Sequence, residues 1–174
     1  MSHCRKVQGL NENFVFWIAF KNTNLLKCSK PRSIETMHEL DLLMSVIKYH
    51  NIDAAPKGVA PFSHASEAGG FVFVTGQMPT WPDEPERPLP KGIEAQTRRV
   101  MDNLIIVLEG MELTLDNVAQ VRVYITQFKR DYALMNEVYQ SYFPTDRLPA
   151  RTCVGVTALA VDALVEVDMI AVRP

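Results

Sequence analysis

A chain of 174 residues with 47% apolar and 22% charged side chains has the composition of a globular domain, with room for an extension, and gross disorder is excluded. Its formal net charge of −2 provides no basic field for a phosphate backbone, so nucleic acid is not an expected partner. The three cysteines, at 4, 28 and 153, are too scattered for a disulfide framework or a paired-ligand zinc site, and a reducing compartment, the cytoplasm, is expected.

The first apolar run, Phe14 to Phe20, is seven residues long, against roughly 20 needed to span a bilayer. Asn11, Glu12 and Asn13 interrupt the approach to it and no small-x-small cleavage site follows, so neither membrane nor export is expected. Composition then changes near residue 43. Residues 1–43 carry six Lys/Arg and four Asp/Glu, a balance of +2; residues 44–174 carry twelve and sixteen, a balance of −4. The first segment has no sustained periodicity until a short helix is suggested from a Ser33 cap. Two readings of 1–43 stay open: a real extension, or translated upstream sequence ahead of a start at Met37 or Met44, which is slightly preferred. The domain is expected over 44–174.

Ser45 to His50 reads as a short strand, and Phe71-Val72-Phe73-Val74-Thr75 as a clear one between Gly69-Gly70 and Gly76. Five prolines between Pro79 and Pro90 exclude helix and inner strand. From Gly92 to Met111, Ile93, Val100, Met101, Leu104, Ile105 and Leu108 fall on one helical stripe. Val121, Val123 and Ile125 alternate along a strand from Val118 to Thr126. Asp131 suits the N-cap of a second helix with Met135, Val138, Tyr139 and Tyr142 as its stripe, and Pro144 ends it. Strands from Thr152 to Thr157 and from Leu164 to Val172 close the chain. The order β-β-α-β-α-β-β predicts an α+β sheet with both helices on one face. The uncovered face, if apolar, needs a partner subunit.

Gly69-Gly70 precedes a strand and is therefore a turn, not a phosphate loop. His50 and His64 read as surface or satisfied residues, and no metal site is expected. Cys153 lies in a strand without an evident base, which favours a packed or pocket-wall residue over a nucleophile. In Leu148-Pro149-Ala150-Arg151-Thr152-Cys153-Val154-Gly155, residues Arg151, Cys153 and Gly155 share one strand face. Arg151 is either a surface arginine in an ion pair or a guanidinium fork that grips a substrate carboxylate. In the last strand Glu166 and Asp168 share a face, opposite Val165, Val167, Met169 and Ala171. Asp168 reads as a solvent-face acid.

Several motifs appear in order: Ala60-Pro61-Phe62-Ser63-His64-Ala65, Phe73-Val74-Thr75-Gly76-Gln77-Met78-Pro79, Gln96-Thr97 through Asn103-Leu104, Met135-Asn136-Glu137-Val138-Tyr139, Leu148-Pro149-Ala150-Arg151 and Val165-Glu166-Val167-Asp168-Met169-Ile170-Ala171. From about Ala55 onward the chain thereby resembles the Rid family, the reactive intermediate deaminases, also called the YjgF family. The resemblance implies a chorismate-mutase-like α+β fold and a homotrimer with ligand clefts between subunits. It also implies cofactor-free hydrolysis of 2-aminoacrylate and related imines to 2-oxo acids and ammonia. By resemblance Arg151 binds the substrate carboxylate, Glu166 holds the attacking water, and Phe62, Thr75, Gly76, Asn136 and Cys153 line the site. Phe62 stands where the family often has tyrosine, and Thr75 where it often has serine. A rival reading is a non-catalytic trimeric protein that senses small 2-oxo acids or amino acids. RNA cleavage, another activity attached to the family, finds no basic, aromatic-studded face here.

Overall fold

The structure, a computed structural model, describes residues 46–174. The helix expected from Ser33, the cysteines at 4 and 28 and the alternative starts at Met37 and Met44 lie outside the described residues. The elements in chain order are β1 (Lys48–His50), β2 (Ala65–Ala68), β3 (Phe71–Gln77), α1 (Ile93–Gly110), β4 (Val118–Ile125), α2 (Phe128–Gln140), β5 (Ala150–Gly155) and β6 (Val165–Val172). One six-stranded sheet runs β1-β2-β3-β6-β4-β5, and β4 and β5 are its parallel pair. Helix α2 connects them as a β-α-β crossover. Strands β3 and β4 both pair antiparallel with β6, so the β3-α1-β4 unit is split by a strand inserted between its two arms.

Side-chain alternation builds one core between the sheet and the helices. Val72, Val74, Val121, Val123, Ile125, Val165, Val167 and Met169 are buried against Val100, Met101, Leu104 and Leu108 of α1 and Met135 of α2. The expected α+β class, with both helices on one face, is what forms. The α1 stripe differs from expectation at one position: Val107 is buried and Ile105 is half-buried, because α1 packs on both the sheet and α2. The other sheet face is open and partly apolar, with Phe71 48% and Phe73 44% exposed.

Strand β2 is the element periodicity missed. Ala65-Ser66-Glu67-Ala68 has little strand propensity of its own, but its full register against Phe71 to Val74 supplies the ladder. Gly69 and Gly70, at φ 57° and 80°, provide the two positive φ values that a tight hairpin turn needs. A second correction concerns Asp131. Helix α2 begins at Phe128 with Gln127 as its N-cap, so Asp131 does not cap it. Phe128 packs on Gly155 and stacks on Tyr132 at 4.8 Å, which moves the helix start upstream. Asp131 is instead buried in the first turn, both carboxylate oxygens accepting from Arg130 at 2.7 Å. Strand β5 also starts two residues earlier than expected and ends at Gly155.

The proline-rich connector is held by buried polar groups of α1. Asn103 Nδ2 donates to the carbonyls of Met78 (2.9 Å) and Thr80 (2.8 Å), and Gln96 Nε2 donates to that of Pro90 (3.0 Å). These bonds fix the exit of β3, where half of the candidate site lies. Among the described residues no helix is long and apolar enough to cross a membrane.

Candidate active site

Arg151 stands opposite Val121 in the parallel β4–β5 register, and Val121 points into the core. Arg151 therefore projects on the helix-covered side, at the sheet edge. Its Nη1 donates to Asn136 Oδ1 at 2.6 Å, and its guanidinium carbon lies 4.8 Å from the centre of the Tyr139 ring. Asn136 and Tyr139 are one helical turn apart, so α2 presents both to the same spot. With Gln140, Leu148 and Pro149 they line an open depression of about 320 Å³. Arg122, Arg130 and Arg173 each hold a carboxylate. Arg151, which is half-buried, forms no ion pair among the described residues.

Burial pushes the Tyr139 phenol up to about 12, against the opposing charge of Arg151, and its buried hydroxyl has no hydrogen-bond partner. Cys153, on the same strand face, packs against the core. Burial raises its thiol and Arg151 only partly offsets that, so it is a wall residue and not a thiolate nucleophile.

Glu166 stands opposite Tyr124 in the antiparallel β4–β6 register and faces the open side. Its carboxylate lies over Gly76, where a methyl group would overlap Glu166 Oε1. A register shift between Val74 and Gln77 takes Thr75 and Gly76 out of the β3–β6 ladder and creates that space. Thr75 donates its hydroxyl hydrogen to the Ser63 carbonyl at 2.7 Å, so toward a ligand its oxygen can only accept. Phe62 lines two depressions, one of about 340 Å³ shared with Thr75 and a shallow one shared with Gly76. Burial raises the Glu166 carboxyl, and the charge of Asp168 adds to the effect.

Asp168 is not the solvent-face acid expected. It is buried, accepting from Arg122 Nε at 2.8 Å and from the Tyr124 hydroxyl at 3.3 Å, because Arg122 sits directly opposite it in the register. His64 is satisfied: Nδ1 accepts from the Ile52 amide and Nε2 reaches the Pro56 carbonyl, both at 2.9 Å. His50 is half-buried, and its Nε2, without a hydrogen-bond partner, lies 3.7 Å from Glu67 Oε2. The described residues contain no group of three His, Cys, Asp or Glu able to hold a metal.

The fold thus gathers Arg151 with Asn136, and sets Glu166 over Gly76 with Phe62 and Thr75 in the adjoining depressions, but places the two sets on opposite faces of one sheet. Sequence reasoning missed Tyr139 as a platform and Arg122 with Tyr124 as neighbours of the acids. The three-residue step from Asn136 to Tyr139 was a usable signal, and so was the alternation of Arg122 and Tyr124 in β4.

The family described as Endoribonuclease L-PSP matches residues 52–173. A RutC family protein of Pyrococcus abyssi is 41% identical over 122 residues, which is 70% of this chain and 93% of that one. Among solved structures, YyfA of the conserved Rid protein family from Yersinia pestis superposes with a TM-score of 0.68 at 32% identity, over 73% of this chain and 99% of its own. TdcF of E. coli with bound serine gives 0.66 at 30% identity, over 73% and 99%. Sequence likeness along the whole described domain and the shared fold agree, and the chain belongs to the Rid (YjgF/L-PSP) family.

Proposed function

We propose that the chain is a cofactor-free hydrolytic deaminase of 2-imino acids of the 2-aminoacrylate/2-iminopropanoate type, acting as a homotrimer, with the cytoplasm as its expected compartment. Arg151 carries this reading. It is a half-buried guanidinium, fixed by Asn136 and Tyr139, without an acidic partner among the described residues. Such a group at the mouth of a small depression suits a bidentate grip on a carboxylate. TdcF is described with bound serine, and serine presents a carboxylate beside a nitrogen-bearing carbon.

Arg151 and Glu166 face opposite sides of the sheet, so the reading requires Glu166 from a second copy to meet Arg151 at a shared cleft. Phe71, Phe73 and Val172 give the open face an apolar reason to be covered. With the carboxylate held, the imine carbon is the electrophile. Glu166 takes a proton from water as the water oxygen bonds to that carbon, then returns it to the nitrogen. In the carbinolamine so formed, Glu166 carries the proton of the remaining hydroxyl to the nitrogen, the C–N bond breaks as that oxygen becomes the carbonyl, and imino acid and water give 2-oxo acid and ammonia. The raised proton affinity of Glu166 suits a group that must both accept and return a proton.

The bound serine of TdcF also favours a second reading, a non-catalytic sensor of small amino or 2-oxo acids. One assay separates the two. An amino-acid dehydratase generates the imine, and its loss is followed with and without the protein. A deaminase accelerates the loss, and Glu166→Gln slows turnover about 10²-fold or more while 2-oxo acid binding persists. Arg151→Ala loses both, and lysine there rescues poorly because a point charge lacks the fork. A sensor leaves imine decay at its spontaneous rate, and full acceleration in Glu166→Gln would remove Glu166 from the mechanism. RNA as substrate requires a salt-dependent shift of an RNA probe, which the acidic balance of 44–174 argues against.

A further inference from the structure

The face that presents Glu166 carries a second charged group that the reaction above does not use. Glu166 and Asp168 lie two residues apart on the same face of β6, about 7 Å along the strand. The β4 register sets Tyr124 opposite Glu166 and Arg122 opposite Asp168. Tyr124 nevertheless reaches diagonally, its hydroxyl donating to Asp168 Oδ2 at 3.3 Å, while Arg122 Nε holds Oδ1 at 2.8 Å. The two charges of the pair are unequally solvated. The Asp168 side chain is 12% exposed and that of Arg122 is 51% exposed. Water therefore screens the cation more than the anion, and the net field that reaches Glu166 through the protein is negative.

Within the protomer other elements add little to that balance, and in the proposed assembly the Arg151 of a second copy faces Glu166 as a cation common to wild type and to every variant below, so it shifts all midpoints alike. From β3, Glu166 meets Gly76, which carries no charge; the exposed Lys57 lies beyond Gly76 in the lining of the shallow depression there. A pair placed only for stability would have no reason to stand beside the half-buried carboxylate of the site. Well-packed neutral residues often serve as well as a buried ion pair.

We propose that Arg122 and Asp168 belong to the Glu166 half-site as positioning residues that act through Glu166 and set the pH range over which it exchanges its proton. This rests on the reading of Glu166 as the water-handling base, but its consequence can be read without turnover. Removing Asp168 leaves Arg122 as an uncompensated cation near Glu166, which favours the carboxylate. Removing Arg122 leaves Asp168 as an uncompensated anion, which favours the protonated form.

The test is a carbon-13 NMR titration of the Glu166 carboxyl in the full chain, assigned by its loss in Glu166→Gln, together with the pH profile of kcat/KM. Asp168→Asn should move the Glu166 midpoint and the acidic limb of the profile down. Arg122→Gln should move both up, and the double variant should fall between them. If Arg122→Gln fails to fold, Arg122→Lys replaces it; loss of the Nε contact should give a smaller shift in the same upward direction. Unmoved midpoints, or shifts of one sign in both variants, overturn the proposal even if activity falls. Should Glu166→Gln keep full turnover while the midpoints still move oppositely, the role of Glu166 fails and the electrostatic coupling stands.

Discussion

Tyr139 separates packing from hydrogen bonding at the Arg151 site. Its ring supports the guanidinium, while its buried hydroxyl has no partner. A buried unsatisfied group costs about 1–3 kcal/mol, so Tyr139→Phe should leave 2-oxo acid affinity unchanged and stability equal or higher. Tyr139→Leu removes the platform and should weaken binding. Calorimetric titration and thermal melts check both, and a large affinity loss in Tyr139→Phe would show that the hydroxyl itself contacts the ligand. Glu166 makes a prediction on pH. Its folded carboxyl holds a proton more tightly than the unfolded one, because burial and then Asp168 disfavour the charge. The stabilisation from that tighter proton is present below the unfolded range and is lost as pH rises through the folded midpoint. Glu166→Gln cannot ionise, so its melting temperature should exceed that of wild type increasingly from acid to neutral pH. A gap independent of pH would contradict the burial argument.

Two connections between elements carry energetic consequences. The turn from β5 to β6 contains Val161 and Asp162 at φ 53° and 56°, and Val161 is 46% exposed. A β-branched residue there opposes its own backbone preference, so Val161→Gly should stabilise by about 1 kcal/mol, measured by denaturant unfolding. The chain end is tied to the hairpin and to α1. The amide of Arg173 donates to the Gly70 carbonyl at 2.9 Å; Nη1 donates to Met111 O at 2.6 Å and Nη2 to Glu67 Oε2 at 2.9 Å. Arg173→Ala should cost about 1.5–3 kcal/mol, the range for hydrogen bonds to charged groups. The bond from Arg173 also holds the Glu67 carboxyl below its usual range. Its contribution is therefore present above the ordinary carboxylate range and fades as pH falls through the lowered midpoint, and the penalty of Arg173→Ala should shrink in acid. At this scale strong periodicity located α1, β3, β4 and β6. It failed for β2, formed by its hairpin partner, and for the start of α2, set by Phe128 against Gly155.

For the whole molecule the prediction is assembly. Residues 44–174 should scatter light at three times the protomer mass, since the proposed reaction needs Arg151 and Glu166 together while they face opposite sides of one sheet, and the open face exposes Phe71 and Phe73. A stable monomer with full activity would show that one protomer suffices. The chain begun at Met44 should match the full chain in melting temperature and turnover, and a loss of several degrees would assign residues 1–43 a packed role.

Local patterns determined what depends on short range. Alternation and the 3.6-residue stripe made the α+β class legible, and ordered motifs made the family legible and nominated Arg151 and Glu166 as its site residues. Tertiary structure alone decided where those residues face. Strand parity gives relative faces within one strand, but Arg151 and Glu166 stand in different strands, β5 and β6, with β4 between them. Only the registers of β4 with both show that Arg151 aligns with a core residue and Glu166 with an open-face one. The same registers decided Asp168: the spacing of two acids along β6 is visible in the chain, but the arginine that meets one of them lies 46 residues away.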